Sequence, residues 1–152
     1  MPEFRNSRRV KHSAQQMYAL VADVEKYPEF VPLCTGMRVR KRTPTSEGEV
    51  IVADMEVGYR AIREKFTSKV TCDASRPAIQ VAYIDGPFRR LVNEWRFVDG
   101  PDAGTSTVEF YIDYEFRSRA LALVMGALFD QAFRQFAAAF EKRADALYGT
   151  GA

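Results

Sequence analysis

Near the end of this chain, an alternating strand runs directly into a long helix whose apolar face is wider than simple packing requires. Within residues 107–116, apolar side chains alternate with polar ones, as expected when successive strand residues point to opposite sides. From Leu121 to Leu147, apolar residues recur at helical spacing. They cover roughly 180° of the helix, whereas a helix resting on one sheet needs roughly 100°. The surplus can face a neighbouring helix, another subunit, a membrane surface or an enclosed cavity.

The beginning of the chain predicts one strand and two short helices. Residues 4–10 alternate and form a candidate strand. Ser13 is a good helix N-cap, and Gln16 three residues later completes a capping box. Because the residue before a proline disfavours the helical conformation, this helix is expected to end at Tyr27. A short proline-bounded turn or helix is expected at residues 28–32.

Six further strands are predicted from alternation between breaks rich in glycine, proline and polar residues. They cover residues 37–42, 49–57, 61–71, 79–84, 91–98 and 107–116. Short connections imply antiparallel hairpins, and a chain of 152 residues is long enough for one core but short for two. We therefore expect an α+β fold with a single domain, residues 1–152. In it, a curved antiparallel sheet of about seven strands wraps around the long C-terminal helix.

Charge and cysteine content favour a cytoplasmic protein with no DNA partner. The formal net charge is only +2. Cys34 and Cys72 lack metal-ligand spacing and are typical of reduced thiols. The first residues lack the apolar run of an export signal, and the longest apolar run, residues 120–129, is too short to span a bilayer. We expect the protein in the cytoplasm or peripherally at the inner face of the membrane.

A basic patch falls within one predicted strand, at Arg38, Arg40, Lys41 and Arg42. Edge strands use basic side chains to block edge-to-edge pairing, which is one interpretation of this patch. The alternative is attraction to phosphate groups on lipid or RNA.

Motifs for hydrolysis, phosphoryl transfer and metal chemistry are missing from the sequence. It contains no nucleophile elbow, no phosphate-binding glycine loop and no metal-ligand cluster. Its one histidine, His12, is interpreted as a solvated or capping residue. We therefore expect a protein that is not an enzyme and holds no metal, although these absences leave acid–base catalysis by carboxylates open.

Polar residues occur on strand faces that are otherwise apolar. Glu64 shares a face with Phe66, and Asn93 shares a face with Trp95. A polar group turned inward costs roughly 1–3 kcal/mol unless it finds a partner. Glu64 and Asn93 therefore bond to each other, the backbone or water, or they bind the oxygen atoms of a ligand. Asp54 raises the same question.

Four segments carry a resemblance that covers essentially the whole chain in order. They are residues 27–34 (YPEFVPLC), 64–70 (EKFTSKV), 86–97 (GPFRRLVNEWRF) and 109–118 (EFYIDYEFRS). Together with the order of elements, they resemble the coenzyme Q-binding branch of the START-like superfamily, proteins of the polyketide cyclase/lipid-transport type with a helix-grip fold. Leu33 stands where this branch usually has an aromatic residue, which weakens any expectation of a stacked ring there.

The resemblance implies a cavity under the long helix that holds an isoprenoid quinone such as ubiquinone, with no covalent cofactor. It implies that the protein supplies or positions this lipid for respiration, in transient contact with the membrane or respiratory complexes. Related toxins that associate with the ribosome, and helix-grip aromatases or cyclases, supply the alternative functions. The candidate ligand-binding residues are Glu64, Phe66, Tyr83, Asn93, Trp95, Phe110, Tyr114, Met125, Phe129, Phe133, Phe136 and Phe140.

Two arginines precede the apolar start of the long helix, an arrangement suited to a lipid headgroup layer. The residues expected to contact a membrane or partner are Phe30, Val31, Arg117, Arg119, Leu121 and Val124. The alternative is a helix start that packs on residues 27–32 or on a second subunit.

Overall fold

The structure is a computed structural model that describes residues 3–149. Its elements in chain order are β1 (Glu3–Val10), α1 (Ala14–Ala22), a 3-10 helix (Val24–Glu29), β2 (Cys34–Pro44), β3 (Gly48–Tyr59), β4 (Ile62–Asp73), β5 (Ala78–Asp85), β6 (Phe88–Asp99), β7 (Ser106–Phe116) and α2 (Arg119–Tyr148). The strands form one antiparallel sheet in the order β1-β7-β6-β5-β4-β3-β2. The predicted sheet, the two short helices and the long C-terminal helix are confirmed.

The first helix begins as predicted but ends earlier. The Ser13 hydroxyl accepts a hydrogen bond from the backbone N–H of Gln16, and the Gln16 side chain accepts from the backbone N–H of Ser13, which completes the capping box. The prediction that this helix extends to Tyr27 is wrong. Asp23 leaves the helical region with a ψ of 69°, so the chain turns there and Pro28 belongs to the separate 3-10 helix.

Strand alternation gives the sheet an inner face that packs against α2 and an outer face on the other side. Aromatic rings from the sheet and from α2 meet on the inner face. The ring centroid of Trp95 in β6 lies 4.7 Å from Phe110 in β7 and 5.0 Å from Phe140 in α2. Such edge-to-face contacts stabilise the core beyond the burial of their area.

The second half of α2 is held to the edge strand β1 by polar contacts. Nε of Arg8 donates to the Glu141 carboxylate at 2.6 Å, and Nε2 of His12 lies 2.7 Å from Oδ1 of Asp145. His12 is buried, so its interpretation as a solvated or capping residue is wrong. The end of β1 packs against the last turns of α2 and removes the ring from water.

Candidate ligand cavity

A cavity lies between the inner face of the sheet, the 3-10 helix and α2. It contains about 850 Å³ of space free of protein atoms, including the part that is open to solvent. The part that the centre of a water molecule can occupy is only about 80 Å³, whereas small-molecule sites are typically about 300–1,000 Å³, so the cavity has to widen to hold a ligand as large as a quinone. α2 closes one side of it with Phe129, Ala132, Phe133 and Phe136, and the 3-10 helix contributes Tyr27.

Two short polar side chains, Ser68 and Asn93, belong to a lining whose other residues are apolar or aromatic. The Asn93 amide donates to the carbonyl oxygen of Tyr111 at 2.9 Å and accepts from the indole N–H of Trp95 at 3.1 Å. One N–H of this amide therefore remains available to a ligand. Within residues 3–149, no hydrogen-bond partner of the Ser68 hydroxyl is seen, so both its donor and its acceptor capacity are free.

The structure brings half of the candidate ligand-binding residues into the lining. These six are Phe66, Asn93, Trp95, Phe129, Phe133 and Phe136. They come from β4, β6 and α2, and they are brought together because their strands pair through β5 and α2 crosses the inner face.

The other six candidates lie outside the lining: Glu64, Tyr83, Phe110, Tyr114, Met125 and Phe140. The Tyr83 hydroxyl accepts from the backbone N–H of Phe88, so it serves the turn between β5 and β6. Phe110 and Phe140 fill the core around Trp95. Burial raises the pKa of Tyr114 to about 12, as expected for a tyrosine packed in the core.

Glu64 is half-buried near the start of β4, opposite Val57 of β3. Of the alternatives open for these two residues, a bond between Glu64 and Asn93 is not formed, because the Asn93 amide bonds to Trp95 and to the backbone of Tyr111.

The sequence patterns did not predict the side of the cavity nearest β2. Met37 and Met55 pair across β2 and β3 and both line the cavity, as does Leu33. Both methionines alternate with charged neighbours, so the two-residue period of the strands could have identified them. The contribution of Leu33, which has a φ of 66°, depends on how the chain turns after the 3-10 helix and has no comparable signal.

The lining offers little for acid–base or nucleophilic chemistry. Among the described residues, Tyr27 is the one titratable side chain of the lining. Its hydroxyl donates to the carbonyl oxygen of Val21, and burial raises its pKa. Near the cavity, burial raises the pKa of the Cys34 thiol to about 11, so it is protonated at neutral pH. No cluster of residues able to hold a metal ion occurs between residues 3 and 149.

Asp54 faces away from the cavity, which answers the question that the sequence raised. It lies on the outer face of β3 between Ala53 and Met55, which line the cavity. Although burial opposes ionisation, hydrogen bonds from Thr67 and from Nε of Arg40 (2.8 Å) hold the pKa of its carboxyl below the usual range. Asp54 is therefore a buried anion with two internal partners.

A β-bulge divides the predicted basic patch. The register of β2 against β3 shifts between Val39 and Lys41, so Arg38, Arg40 and Lys41 all lie on the outer face. Arg42 falls on the other side, where it pairs with Glu25 of the 3-10 helix at 2.8 Å. The inclusion of Arg42 in the patch was therefore wrong.

The residues predicted to contact a membrane or partner fall into two groups. Val31 is buried, so its prediction as a surface contact is wrong. Phe30 is half-buried, and its ring packs 4.9 Å from Phe140, because the proline-bounded segment packs on α2.

The start of α2 is more exposed. Arg119 is exposed, and Nε of Arg117 donates to the carbonyl oxygen of Phe88 at 3.0 Å. Leu121 is half-buried against the core, whereas Val124 is 55% exposed. No helix within residues 3–149 is long and apolar enough to cross a bilayer.

The chain is similar over most of its length to proteins of one family. Residues 10–141 match the family described as polyketide cyclase / dehydrase and lipid transport. The ribosome association toxin RatA of Escherichia coli K12 is 34% identical over 148 residues, which cover 97% of this chain and 90% of that protein. The mitochondrial coenzyme Q-binding protein COQ10 homolog B of Xenopus laevis is 32% identical over 151 residues, covering 97% of this chain and 59% of that protein.

The fold is also found in solved structures. A START superfamily protein from Mycobacterium smegmatis has a TM-score of 0.77 at 18% identity, covering 95% of this chain and 98% of that one. At this identity the likeness concerns the fold alone. With the family match and the two relatives, it shows that this chain belongs to the polyketide cyclase / dehydrase and lipid transport family and has a START-like helix-grip fold.

Proposed function

We propose that this protein binds an isoprenoid quinone, with ubiquinone as the expected example, in the cavity between the sheet and α2. It carries the quinone unchanged and so supports respiratory electron transport. The observation that carries the proposal is the lining, which is apolar and aromatic except for one free hydroxyl and one partly bonded amide. The coenzyme Q-binding relative supports the same class of ligand.

The two polar groups of the lining suit the head of a quinone, and the apolar wall suits its tail. A quinone head carries carbonyl oxygens that accept hydrogen bonds, and its isoprenoid tail is hydrocarbon. The Ser68 hydroxyl and the remaining N–H of Asn93 can donate to the head. Because β4 and β6 are two strands apart, these groups are separated by about 10 Å across the sheet and can reach opposite sides of the head. The apolar wall, including Met37 and Met55, then covers the tail.

Binding without chemical change fits this lining better than an aromatase or cyclase activity. Proton transfer requires a side chain of suitable pKa within hydrogen-bond reach of the reacting group. Among the described residues, the lining contains no carboxylate, histidine, lysine, arginine or cysteine. A ligand in the cavity therefore meets hydrogen-bond donors but no general base.

The first experiment is extraction of the purified protein with organic solvent followed by mass spectrometry of the extract. Ala132 lines the cavity and is buried, so Ala132→Trp places a large ring where the ligand would lie. Ala146 lies at an exposed position near the other end of the same helix, and Ala146→Trp is the matched control. We expect stoichiometric quinone with the wild type and with Ala146→Trp, and little with Ala132→Trp.

Two results would contradict the proposal. One is a wild-type protein that contains no quinone and does not bind added quinone. The other is an Ala132→Trp variant that folds, as judged by circular dichroism, and still retains the wild-type amount. Tryptophan at position 132 fills part of the cavity in any folded variant, so retention would place the quinone elsewhere.

Association with the ribosome is a second candidate function, supported by the toxin relative and by one surface of the sheet. Arg38, Arg40 and Lys41 of β2 share the outer face with Lys65 and Lys69 of β4, and all five are exposed. We call these five residues the outer basic surface. Protection of the edge strand accounts for the residues of β2, but β4 is an interior strand and needs no such protection.

Sedimentation with ribosomes at increasing salt tests this second candidate. For single-stranded nucleic acid, each phosphate contact adds about 0.7 to the slope of log affinity against log salt. Lys65→Gln/Lys69→Gln should therefore weaken binding and lower the slope by about 1.4. The matched control, Lys26→Gln/Lys142→Gln, removes two exposed lysines from the helical side and should change neither. Equal binding by both double variants would refute a role of this surface.

A further inference from the structure

The first turns of α2 present an apolar face to solvent. Leu123 is 87% exposed and Val124 is 55% exposed, and Ala120 and Ala127 are exposed beside them. At 3.6 residues per turn, these four residues lie within an arc of roughly 100°, opposite the buried Met125. Single apolar residues on a surface are ordinary, but an unbroken group on one helix face is the kind of patch that marks an interaction site. We call these four residues the docking face.

The charges beside the docking face fit an anionic partner. Arg117 and Arg119 are exposed immediately before it. Beyond its other end, the Asp130 carboxylate is paired with Arg134 at 2.9 Å, so that anion is neutralised. An apolar helix face with cations at its edge is suited to the boundary between headgroups and acyl chains of an anionic membrane.

The docking face and the cavity lie on opposite sides of the same helix. Phe129, Ala132 and Phe133 line the cavity within two turns of Ala127, and they project to the other side of α2. A helix with its side chains is about 10 Å thick. A bilayer against the docking face would therefore be separated from the ligand by a single helix.

We infer that the docking face, with Arg117 and Arg119, holds this protein reversibly on an anionic phospholipid bilayer. The inference rests on the proposed quinone-carrying function, because a carrier of a membrane lipid has to reach the membrane. Two large apolar side chains and two arginines provide far less binding than a membrane-spanning helix. The contact is therefore weak and reversible, as release and return of a carrier require.

Sedimentation of the protein with phosphatidylcholine vesicles, with and without phosphatidylserine, tests the inference. Leu123→Asn should lower vesicle binding about tenfold, because burial of this side chain contributes to binding. Leu147→Asn is the matched control, since Leu147 is 54% exposed near the other end of the same helix. It should leave binding unchanged. Arg119→Gln should weaken binding about fivefold on vesicles that contain phosphatidylserine and should have no effect on pure phosphatidylcholine.

Wild-type protein that does not sediment with either kind of vesicle would overturn the inference, as would equal binding by Leu123→Asn and the control. A dimer at high concentration that Leu123→Asn disperses, without vesicle binding, would identify the face as a contact between two copies and would also overturn it. Leu123 does not line the cavity, so quinone added in solution without vesicles should bind Leu123→Asn with the wild-type affinity. Failure of docking is thus distinguishable from failure of quinone binding.

Discussion

Two buried serines make the quinone-binding proposal testable by one kind of substitution. Ser68 lines the cavity with a hydroxyl that has no partner among the described residues, whereas the Ser106 hydroxyl donates to the carbonyl oxygen of His12 at 2.8 Å. Ser68→Ala removes an unpaired polar group and should leave the free energy of unfolding unchanged or raise it by up to about 1 kcal/mol. Ser106→Ala leaves the carbonyl oxygen of His12 without this partner and should lower the free energy of unfolding by about 1–3 kcal/mol.

The two substitutions should have the opposite order of effects on ligand affinity. A hydrogen bond from Ser68 to a quinone oxygen contributes about 0.5–1.5 kcal/mol, so its loss weakens binding about two- to twelvefold. Ser106 lies at the far end of β7 and is not part of the lining, so Ser106→Ala should bind quinone as the wild type does. Each variant is tested by thermal unfolding and by quinone titration. In thermal unfolding, the midpoint temperature should shift by about 2–4 °C for each kcal/mol of stability.

Wild-type quinone affinity in Ser68→Ala would show that the free hydroxyl has no part in recognition. Equal destabilisation of the empty protein by Ser68→Ala and Ser106→Ala would also contradict the proposed role of Ser68. In that case the Ser68 hydroxyl would have a partner inside the protein.

Three further substitutions or reagents test the core and the buried titratable groups. Phe140→Ala removes a fully buried ring and should lower the free energy of unfolding in urea by about 3–5 kcal/mol. Leu147→Ala, at an exposed position, should change this free energy by no more than about 0.5 kcal/mol. The pKa of Asp54 is lowered in the folded state. Its carboxylate therefore contributes fully to the free energy of unfolding above the unfolded-state pKa of about 4, and this contribution is lost as the pH falls. Asp54→Asn should therefore be destabilised at pH 7, and the difference from wild type should narrow on acidification. Burial raises the pKa of Cys34 to about 11, so an aromatic disulfide reagent at pH 8 should label the folded protein at least about tenfold more slowly than the urea-unfolded chain.

The two-residue period of the strands made most of this fold predictable. It placed Asn93 and Trp95 on one side of β6, and both line the cavity. The same period could not predict the bulge in β2, which moves Lys41 to the outer face and Arg42 to the inner side. A bulge adds one residue to one strand only, so it becomes visible only when the two strands are paired.

The sequence also could not predict which aromatic residues line the cavity and which pack in the core. Phe136 and Phe140 are one turn apart on α2 and looked equivalent. Phe136 lines the cavity, whereas Phe140 is enclosed by Tyr27, Phe30 and Trp95. The difference arises from where residues 24–33 cross the helix, and that depends on contacts between segments distant in the sequence.

The two candidate functions are not mutually exclusive, because they occupy opposite faces of the same strands. In β3, Ala53 and Met55 line the cavity, while Asp54 between them pairs with Arg40 of the outer basic surface. Side chains on the two faces are separated by the backbone, so a substitution on one face should leave binding at the other unchanged. Ser68→Ala should therefore not alter salt-sensitive ribosome binding, and Lys69→Gln should not alter quinone content. If quinone occupancy does change ribosome binding, the β3 backbone itself must shift when the cavity fills, since it is the structure that both faces share.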